Sequence, residues 1–368
     1  MQAPDYTEIY NGDRHCLMCR WACPVERVTR SEATSPHGWA LLIASVQRGL
    51  LTWNSETVDT LYKCADCGLC QANCATDRPL PAAIVAARAS VVEKDLMPES
   101  VRQLDALLRA NGSPYEAPAG QVGAASQTKG GTVGLYVGAA SYAKNPGVVR
   151  AAARIMQAAG VSAQLLDTER SGVYLPYTVG LWDTARTFAE QTLAEIGRMD
   201  ITQVVTLTKE DAHAFLHIYP ELGVALPENL RVTPFIDWLL GVLESGTLKV
   251  GKIDLGGSVF HDACHTPRLN DSWAASRKVL SKLAGQAPDE LFWSGRQASP
   301  CGAIGGFEFT QPRLAEALAV ERIGEARNAG ATAIITDDPQ CAAHLAKYAD
   351  GLPVRSLSEL VLEQLAGE

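Results

Sequence analysis

Four cysteines, Cys64, Cys67, Cys70 and Cys74, stand in the order C-x2-C-x2-C-x3-C, and that spacing limits the chain more than any other feature. Three thiolates so spaced wrap one face of an iron–sulfur cubane while the fourth reaches a neighbouring cluster. Tetrahedral zinc sites usually take two short cysteine pairs separated by a longer loop, so the compact run favours iron–sulfur over zinc. Nearer the N-terminus, DRHCLMCRWACP keeps the same register, with Cys16, Cys19 and Cys23 in the second to fourth slots and Asp13 in the first. If the fourth cysteines cross over, one cluster takes Cys64, Cys67, Cys70 and Cys23, and the other takes Cys16, Cys19, Cys74 and a group near position 13. Asp13, His15 or solvent fills that last place. A carboxylate is a harder ligand than a thiolate, so Asp13 in the ligand set tunes the potential rather than abolishing binding.

The remaining three cysteines sit one to each of three short motifs: HDACH with Cys264, SPCGAIGG with Cys301 and DDPQC with Cys341. Each lies at or next to the end of an expected strand, where α/β folds collect their sites, so the three can converge on one pocket. Asp338, three residues before Cys341, and His261 and His265, flanking Cys264, are on hand as a fourth ligand. The expected ligand set is Cys264, Cys301, Cys341 and Asp338, holding a third [4Fe–4S] cluster or zinc; the plainer reading is three buried free thiols packed as small apolar groups.

Around these motifs the chain divides. Residues 1–111 carry seven of the ten cysteines and read as mostly helical: SPHGWALLIASVQRGLL is a helix opened by Ser35-Pro36, and further helical stretches cover 81–95 and 98–110. Residues 112–131, rich in Gly, Ala, Ser and Pro, read as a linker. Beyond it short β-branched runs alternate with Ala-rich helices, the pattern of α/β units with largely parallel strands. Strands are expected at Thr132–Val137 and Gln203–Thr208, and a helix at Pro146–Ala159 closed by Gly160. The pattern then repeats: VVTLTKEDAHAFLHIY from Val204 aligns with IITDDPQCAAHLAKY from Ile334, and GLYVGAA from Gly134 with SVFHDAC from Ser258. Two similar lobes, 132–250 without cysteines and 251–368 with them, account for this.

Composition removes other classes. A net charge of −9 gives nucleic acid no electrostatic footing. The longest apolar run, Trp39–Val46, falls far short of the roughly 20 residues a membrane helix needs, so membrane contact goes through a partner. Grouped thiols without a secretion signal point to a reducing, cytoplasmic setting. GAIGG lacks the strand-to-helix glycine order of a dinucleotide fingerprint, so neither a flavin nor a nicotinamide site is expected in this chain. His213 and His217 lie at i, i+4 without the acidic partner of a metalloprotease helix, and no nucleophile–base arrangement stands out.

The helix SPHGWALLIASVQRGLL followed by LYKCADCGLCQANC resembles the two-cluster ferredoxin-like domain of heterodisulfide reductases and the iron–sulfur subunits of glycolate oxidase and anaerobic glycerol-3-phosphate dehydrogenase. The two lobes are similar to the paired cysteine-rich CCG domains of those proteins, with HDACH, PCG and DPQC matching the motifs of the last domain. The resemblance implies an iron–sulfur subunit of a flavin-linked oxidoreductase, with two [4Fe–4S] clusters, relaying single electrons and not catalytic alone. Its implied partners are a flavoprotein dehydrogenase subunit with FAD or FMN, a quinone or an electron-transfer flavoprotein, with peripheral membrane association through a partner. Two other readings follow from the last lobe: an open-site reaction centre for a thiol, quinone or small substrate, or a docking scaffold with structural zinc. The departures are as specific as the matches. Pro300-Cys301 stands where the family has a cysteine pair, Asp338-Pro-Gln-Cys341 where it has C-P-x-C, and the first lobe has Arg170-Ser171-Gly172, Ala140, Thr208 and Asp211 at its cysteine positions. Neither lobe has the five cysteines that the family's noncubane, heterodisulfide-cleaving cluster takes.

Overall fold

The computed structural model describes residues 4–115, 131–269 and 273–365; most of the expected linker, 116–130, lies outside them. The cysteine-rich segment is helical, and local chemistry explains its helix starts. Ser35 caps the helix Pro36–Gln47, its hydroxyl accepting from the Gly38 N–H at 3.1 Å. Asn54 and Thr57 form a reciprocal capping box on Ser55–Tyr62. The helix Leu80–Glu93 is buried on almost every side, Arg88 included, so it is the axis on which this segment packs.

Two four-stranded parallel sheets follow, β1 (Val133–Tyr136), β2 (Ala163–Leu166), β3 (Gln203–Thr206) and β4 (Arg231–Pro234), then β5 (Ser258–Phe260), β6 (Asp289–Glu290), β7 (Ala333–Thr336) and β8 (Val354–Ser356). Their spatial orders, β2-β1-β3-β4 and β6-β5-β7-β8, are the same arrangement used twice. The central strands β3 and β7 carry Val-Val and Ile-Ile, all four side chains buried, as parallel strands covered on both faces do. Most expected elements recur within a residue or two, but the helix read over SPHGWALLIASVQRGLL stops at Gln47, four residues short; Pro146–Ala158 ends with Gly160 at a φ of 78°, the left-handed conformation that glycine adopts without steric cost.

The sheets exchange their closing helices. Phe235–Glu244, at the end of the first lobe, packs on Ala274–Ala284 of the second, and Leu357–Glu363, at the end of the second, packs on Pro146–Ala158 of the first. One apolar core, including Leu135, Leu239, Val279, Ile335 and Leu360, therefore runs through both lobes. A second joins the helical segment to the first lobe and reaches Cys264 and Ile304 of the last. Cys23, Cys64 and Cys67 belong to this shared core, which holds the cysteine loops against the lobes, and Tyr62 Oη donating to the Val179 carbonyl at 2.9 Å crosses the same boundary.

Candidate functional site

The short helix Leu69–Ala72 rises from the second cysteine loop after Gly68, whose φ of 74° turns the chain tightly between Cys67 and Cys70. Across from it the first loop runs through the single turn Arg20–Ala22 into Pro24–Thr29, with Pro24 at the helix start that Cys23 precedes. The thiols fall into two electrostatic neighbourhoods. Burial pushes the Cys23 thiol well above its ordinary range, and Cys67 and Cys64 push it further; burial does the same to Cys70, followed by Cys64, Cys67, Cys19 and Cys23. Cys64, fully buried, is raised to about 12 by burial, against the lowering field of Arg88. The other neighbourhood holds Cys19, raised to about 11 by burial and then by Asp13, Cys16 and Cys74. Cys16 is exposed and Cys19 and Cys74 half-buried, so this group lies nearer the surface than the first, in which Cys23, Cys64 and Cys67 are buried and Cys70 is half-buried.

Largely buried thiols that feel one another's charge cannot all ionise, because each thiolate lacks solvation and repels the next. A cationic metal core removes both penalties, and soft thiolates at cubane spacing suit iron and sulfide; the interior set fits such a group. Cationic side chains already face it. Arg88 Nη2 donates to the carbonyls of Cys64 at 2.5 Å and Leu61 at 3.3 Å, and Arg268 Nη1 donates to the Cys67 carbonyl at 2.6 Å. Arg268 and, more weakly, Arg27 also hold the Cys67 thiol down against burial. None of these arginines carries a motif, and only their placement beside the cysteine loops reveals them.

Asp13 is felt by the surface set: its charge adds to the burial that raises Cys19, and it opposes the net lowering of Cys74, where hydrogen bonds from Thr76 and from backbone N–H groups outweigh burial; its carboxylate lies 3.6 Å from Arg78 Nε. Burial raises the Asp13 carboxyl and Arg78 pulls it back. His15 is exposed. The second loop is also tied to the last lobe through Asp66, whose Oδ2 accepts from Tyr174 Oη at 2.9 Å and whose carbonyl lies 2.7 Å from His265 Nε2. His265 Nδ1 lies 3.0 Å from Glu210 Oε1, and burial works against its proton while Glu210 and Asp66 hold it, a net rise. His265 therefore joins two lobes and a cysteine loop. A cavity of about 610 Å³ opens beside it, lined in part by Asp66, Gly68, Tyr174, His213, His217 and Arg268. His213 and His217, unassigned by their spacing, lie with ring centroids 4.6 Å apart on a locally widened helical turn at this cavity, where burial lowers His213 to about 4.

The last lobe brings its three cysteines into one neighbourhood but assembles them differently from the expected ligand set. Cys301 Sγ lies 3.0 Å from Cys341 Sγ, and both are buried. Cys264 is outside this group; it shares a core with Cys64 and Cys67, and its thiol is raised by burial, against Arg268, with Cys67 and Cys301 adding to the rise. His261, rather than Asp338, approaches the pair: its ring nitrogen and the two sulfurs lie within 4.8 Å of one another. Asp338 caps the helix Pro339–Tyr348, with Oδ1 accepting from the N–H groups of Gln340 at 2.9 Å and Cys341 at 2.7 Å. His261 Nδ1 accepts from Arg322 Nε at 2.9 Å, and its buried Nε2 has no hydrogen-bond partner among the described residues.

The first lobe offers the same corner with oxygen chemistry. Thr208, aligned with Asp338, caps its helix by accepting from the Asp211 N–H at 3.1 Å, and Asp211 takes the place of Cys341. A Cβ on Gly172, which aligns with Gly302, would lie 2.3 Å from Asp211 Oδ1.

Comparison with known proteins bears on the last lobe and on iron–sulfur binding. The family model of the cysteine-rich domain CCG matches residues 258–346. Over 207 residues the chain is 26% identical to the "Probable membrane-anchored ferredoxin" of Chromohalobacter salexigens, covering 55% of this chain and 30% of that protein. It is 23% identical over 210 residues to the "Probable iron-sulfur-binding oxidoreductase FadF" of Bacillus subtilis, covering 57% and 29%. It is 27% identical over 225 residues to one subunit of the "Dihydromethanophenazine:CoB--CoM heterodisulfide reductase" of Methanosarcina barkeri, covering 58% and 54%. The chain thus spans less than a third of the first two relatives and about half of the third. A hypothetical protein from Helicobacter pylori shares the fold over 97% of this chain and 73% of its own, with a TM-score of 0.62 at 9% identity. Among the described residues no helix is long and apolar enough to cross a membrane.

Proposed function

Because the chain is a heterodisulfide-reductase-related iron–sulfur protein with a CCG lobe, we propose that it is the electron-relay subunit of a flavin-linked oxidoreductase. Its N-terminal segment holds two [4Fe–4S] clusters, one on Cys64, Cys67, Cys70 and Cys23 and the other on Cys16, Cys19, Cys74 and Asp13. The observation that carries the reading is the pairing of thiols across the two loops: Cys23 groups with Cys64 and Cys67, and Cys74 with Cys19 and Asp13. A cubane supplies storage of one electron at a time. The chain's own part is to set where that electron rests and where it leaves.

Arg88, Arg268 and Arg27 surround the interior set and favour the extra negative charge of a reduced state. The surface set has a carboxylate beside it and an exposed Cys16, which suits transfer to a docked partner. Cys70 senses Cys19, so the two groups are near neighbours and an electron need not cross the lobes to pass between them. The partner in this reading is a flavoprotein carrying FAD or FMN, and the chain is not catalytic alone.

Anaerobic purification of the full chain with iron and sulfide analysis tests the cluster assignment. About eight irons per chain, at four per cubane, are expected, with a low-temperature spectrum of two interacting centres on reduction. About four irons or fewer, or zinc on the N-terminal cysteines, overturns it. Reduction of these centres by a purified flavoprotein partner and its substrate tests the relay, and a partner without flavin rejects that part.

A further inference from the structure

We propose that Cys301 and Cys341 form a redox-active dithiol–disulfide pair, a two-electron store beside the relay, rather than ligands of a third metal centre. The inference rests on the relay reading for its electron partner. Four observations carry it. The sulfurs are 3.0 Å apart, within about 1 Å of the S–S bond length, a gap that a small side-chain rotation closes. The nitrogen that could ligate is the wrong tautomer: Arg322 can only donate, so His261 Nδ1, accepting from Arg322 Nε, bears the lone pair and buried Nε2 bears the proton. Arg322 is itself buried, and its charge is felt by Cys341, so a metal cation here would face a guanidinium. The carboxylate of Asp338 is committed as a helix cap.

The chemistry balances within the chain. On oxidation the two S–H bonds break, one S–S bond forms, and two electrons leave one at a time to one-electron iron–sulfur acceptors of the N-terminal segment. Cys264, which senses both Cys67 and Cys301, lies on that route. The two protons pass to carboxylates at the corner, first the buried Asp338, beside Cys341, and then the half-buried Glu210, whose charge Asp338 senses. Reduction runs the same step backwards. Nε2–H of His261 is positioned to steady the first thiolate as it forms. The pair would couple a two-electron carrier, such as a flavin hydroquinone, to one-electron centres.

The test uses the full wild-type chain, purified anaerobically and poised with redox mediators over a range of potentials. Samples are quenched in acid, alkylated with N-ethylmaleimide and mapped by mass spectrometry. The expected result is that peptides containing Cys301 and Cys341 lose their labels together on oxidation, with a two-electron slope, and appear as one cross-linked peptide lighter by two hydrogens. Cys264 keeps its label throughout, and iron and zinc contents of Cys301→Ser and of Cys341→Ala equal those of wild type. Labels on both cysteines at every potential overturn the proposal, as does loss of about four irons or one zinc in either variant. Failure of the relay reading shows separately, as wild-type protein without N-terminal iron whose pair still converts in a dithiothreitol redox buffer.

Discussion

Replacing Arg88 with methionine isolates the contribution of one buried cation to both stability and redox behaviour. Its guanidinium, 3% exposed, bridges three carbonyls: Thr178 through Nη1 at 3.0 Å, and Leu61 and Cys64 through Nη2 at 3.3 and 2.5 Å. Hydrogen bonds from a charged donor contribute about 1.5–3 kcal/mol each. Three give about 4.5–9 kcal/mol gross, from which relief of the guanidinium's desolvation subtracts several kcal/mol. Methionine fills the stem volume but leaves three carbonyls dry, so a net loss of about 3–4 kcal/mol is expected. The helical segment and first lobe share a core, so the loss should appear as a lower thermal midpoint and faster proteolysis at the 62–88 and 178–180 contacts. Arg88→Lys keeps the charge and loses the fork, so it should recover part of the stability. It should also keep the potential of the interior centre, which Arg88→Met lowers by removing a cation that favours the reduced state. Arg88→Met within about 1 kcal/mol of wild type, with an unchanged potential, refutes the reasoning.

Other perturbations are read more simply. Gly180→Ala forces a Cβ to 2.6 Å from the backbone of Arg88 at a φ of 88°, so it should reduce soluble yield and lower the melting temperature, measured by scanning fluorimetry. Gly302→Ala places a Cβ 2.2 Å from the Ala315 carbonyl oxygen and should disrupt the Cys301 corner, read as loss of paired behaviour of Cys301 and Cys341 in alkylation. Asp338→Ala removes the cap of Pro339–Tyr348 and should cost about 1 kcal/mol, measured by chemical denaturation. Asp13→Ala should leave the interior cluster intact and render the surface one labile or three-iron, read by iron content and low-temperature spectra; unchanged iron and spectra reject Asp13 as a ligand.

Much of this architecture is written in local patterns. Cysteine spacing announces the two N-terminal groups, Ser35-Pro36 announces a helix start, and alternating β-branched and Ala-rich runs announce the parallel sheets. Each depends on neighbours within a few positions. The arginines around the interior set come from the helix Leu80–Glu93, from the residues after HDACH and from Pro24–Thr29. Nothing at 88, 268 or 27 marks them, because their role is set by packing across the chain. The corner of the last lobe fails to be legible for the same reason. D-x2-C reads equally well as a ligand pair or as a helix cap, and the choice depends on where Arg322 sits, 61 residues from His261. The exchange of closing helices is likewise invisible, since an amphipathic helix does not say which sheet covers it.

The alignment of Asp211 with Cys341 gives the two lobes different responses to pH. In the first lobe, Asp211 is buried beside Thr208, whose hydroxyl donates to its Oδ2 at 2.7 Å, and burial raises the carboxyl from 3.8 to about 7. The folded state therefore holds this proton more tightly than the unfolded chain. Its contribution is fully present below the unfolded value of 3.8 and is lost as pH rises through about 7. A shift of roughly 3 units corresponds to roughly 4 kcal/mol between those limits. Asp211→Asn keeps the shape and the hydrogen-bonding oxygen but cannot ionise, so its stability relative to wild type should rise steadily between about pH 4 and pH 7 and level off above. Comparing the two proteins removes the other buried carboxyls that titrate in the same window, Asp167 at about 6 and Asp338 at about 7. Denaturation of wild type and Asp211→Asn across pH 4–8 should give diverging curves; parallel curves would show that the carboxylate is solvated or paired in the folded protein. Asp211→Cys then restores a thiol at the position aligned with Cys341, and because a buried thiol stays neutral through this window its own stability should be as flat with pH as that of the asparagine variant.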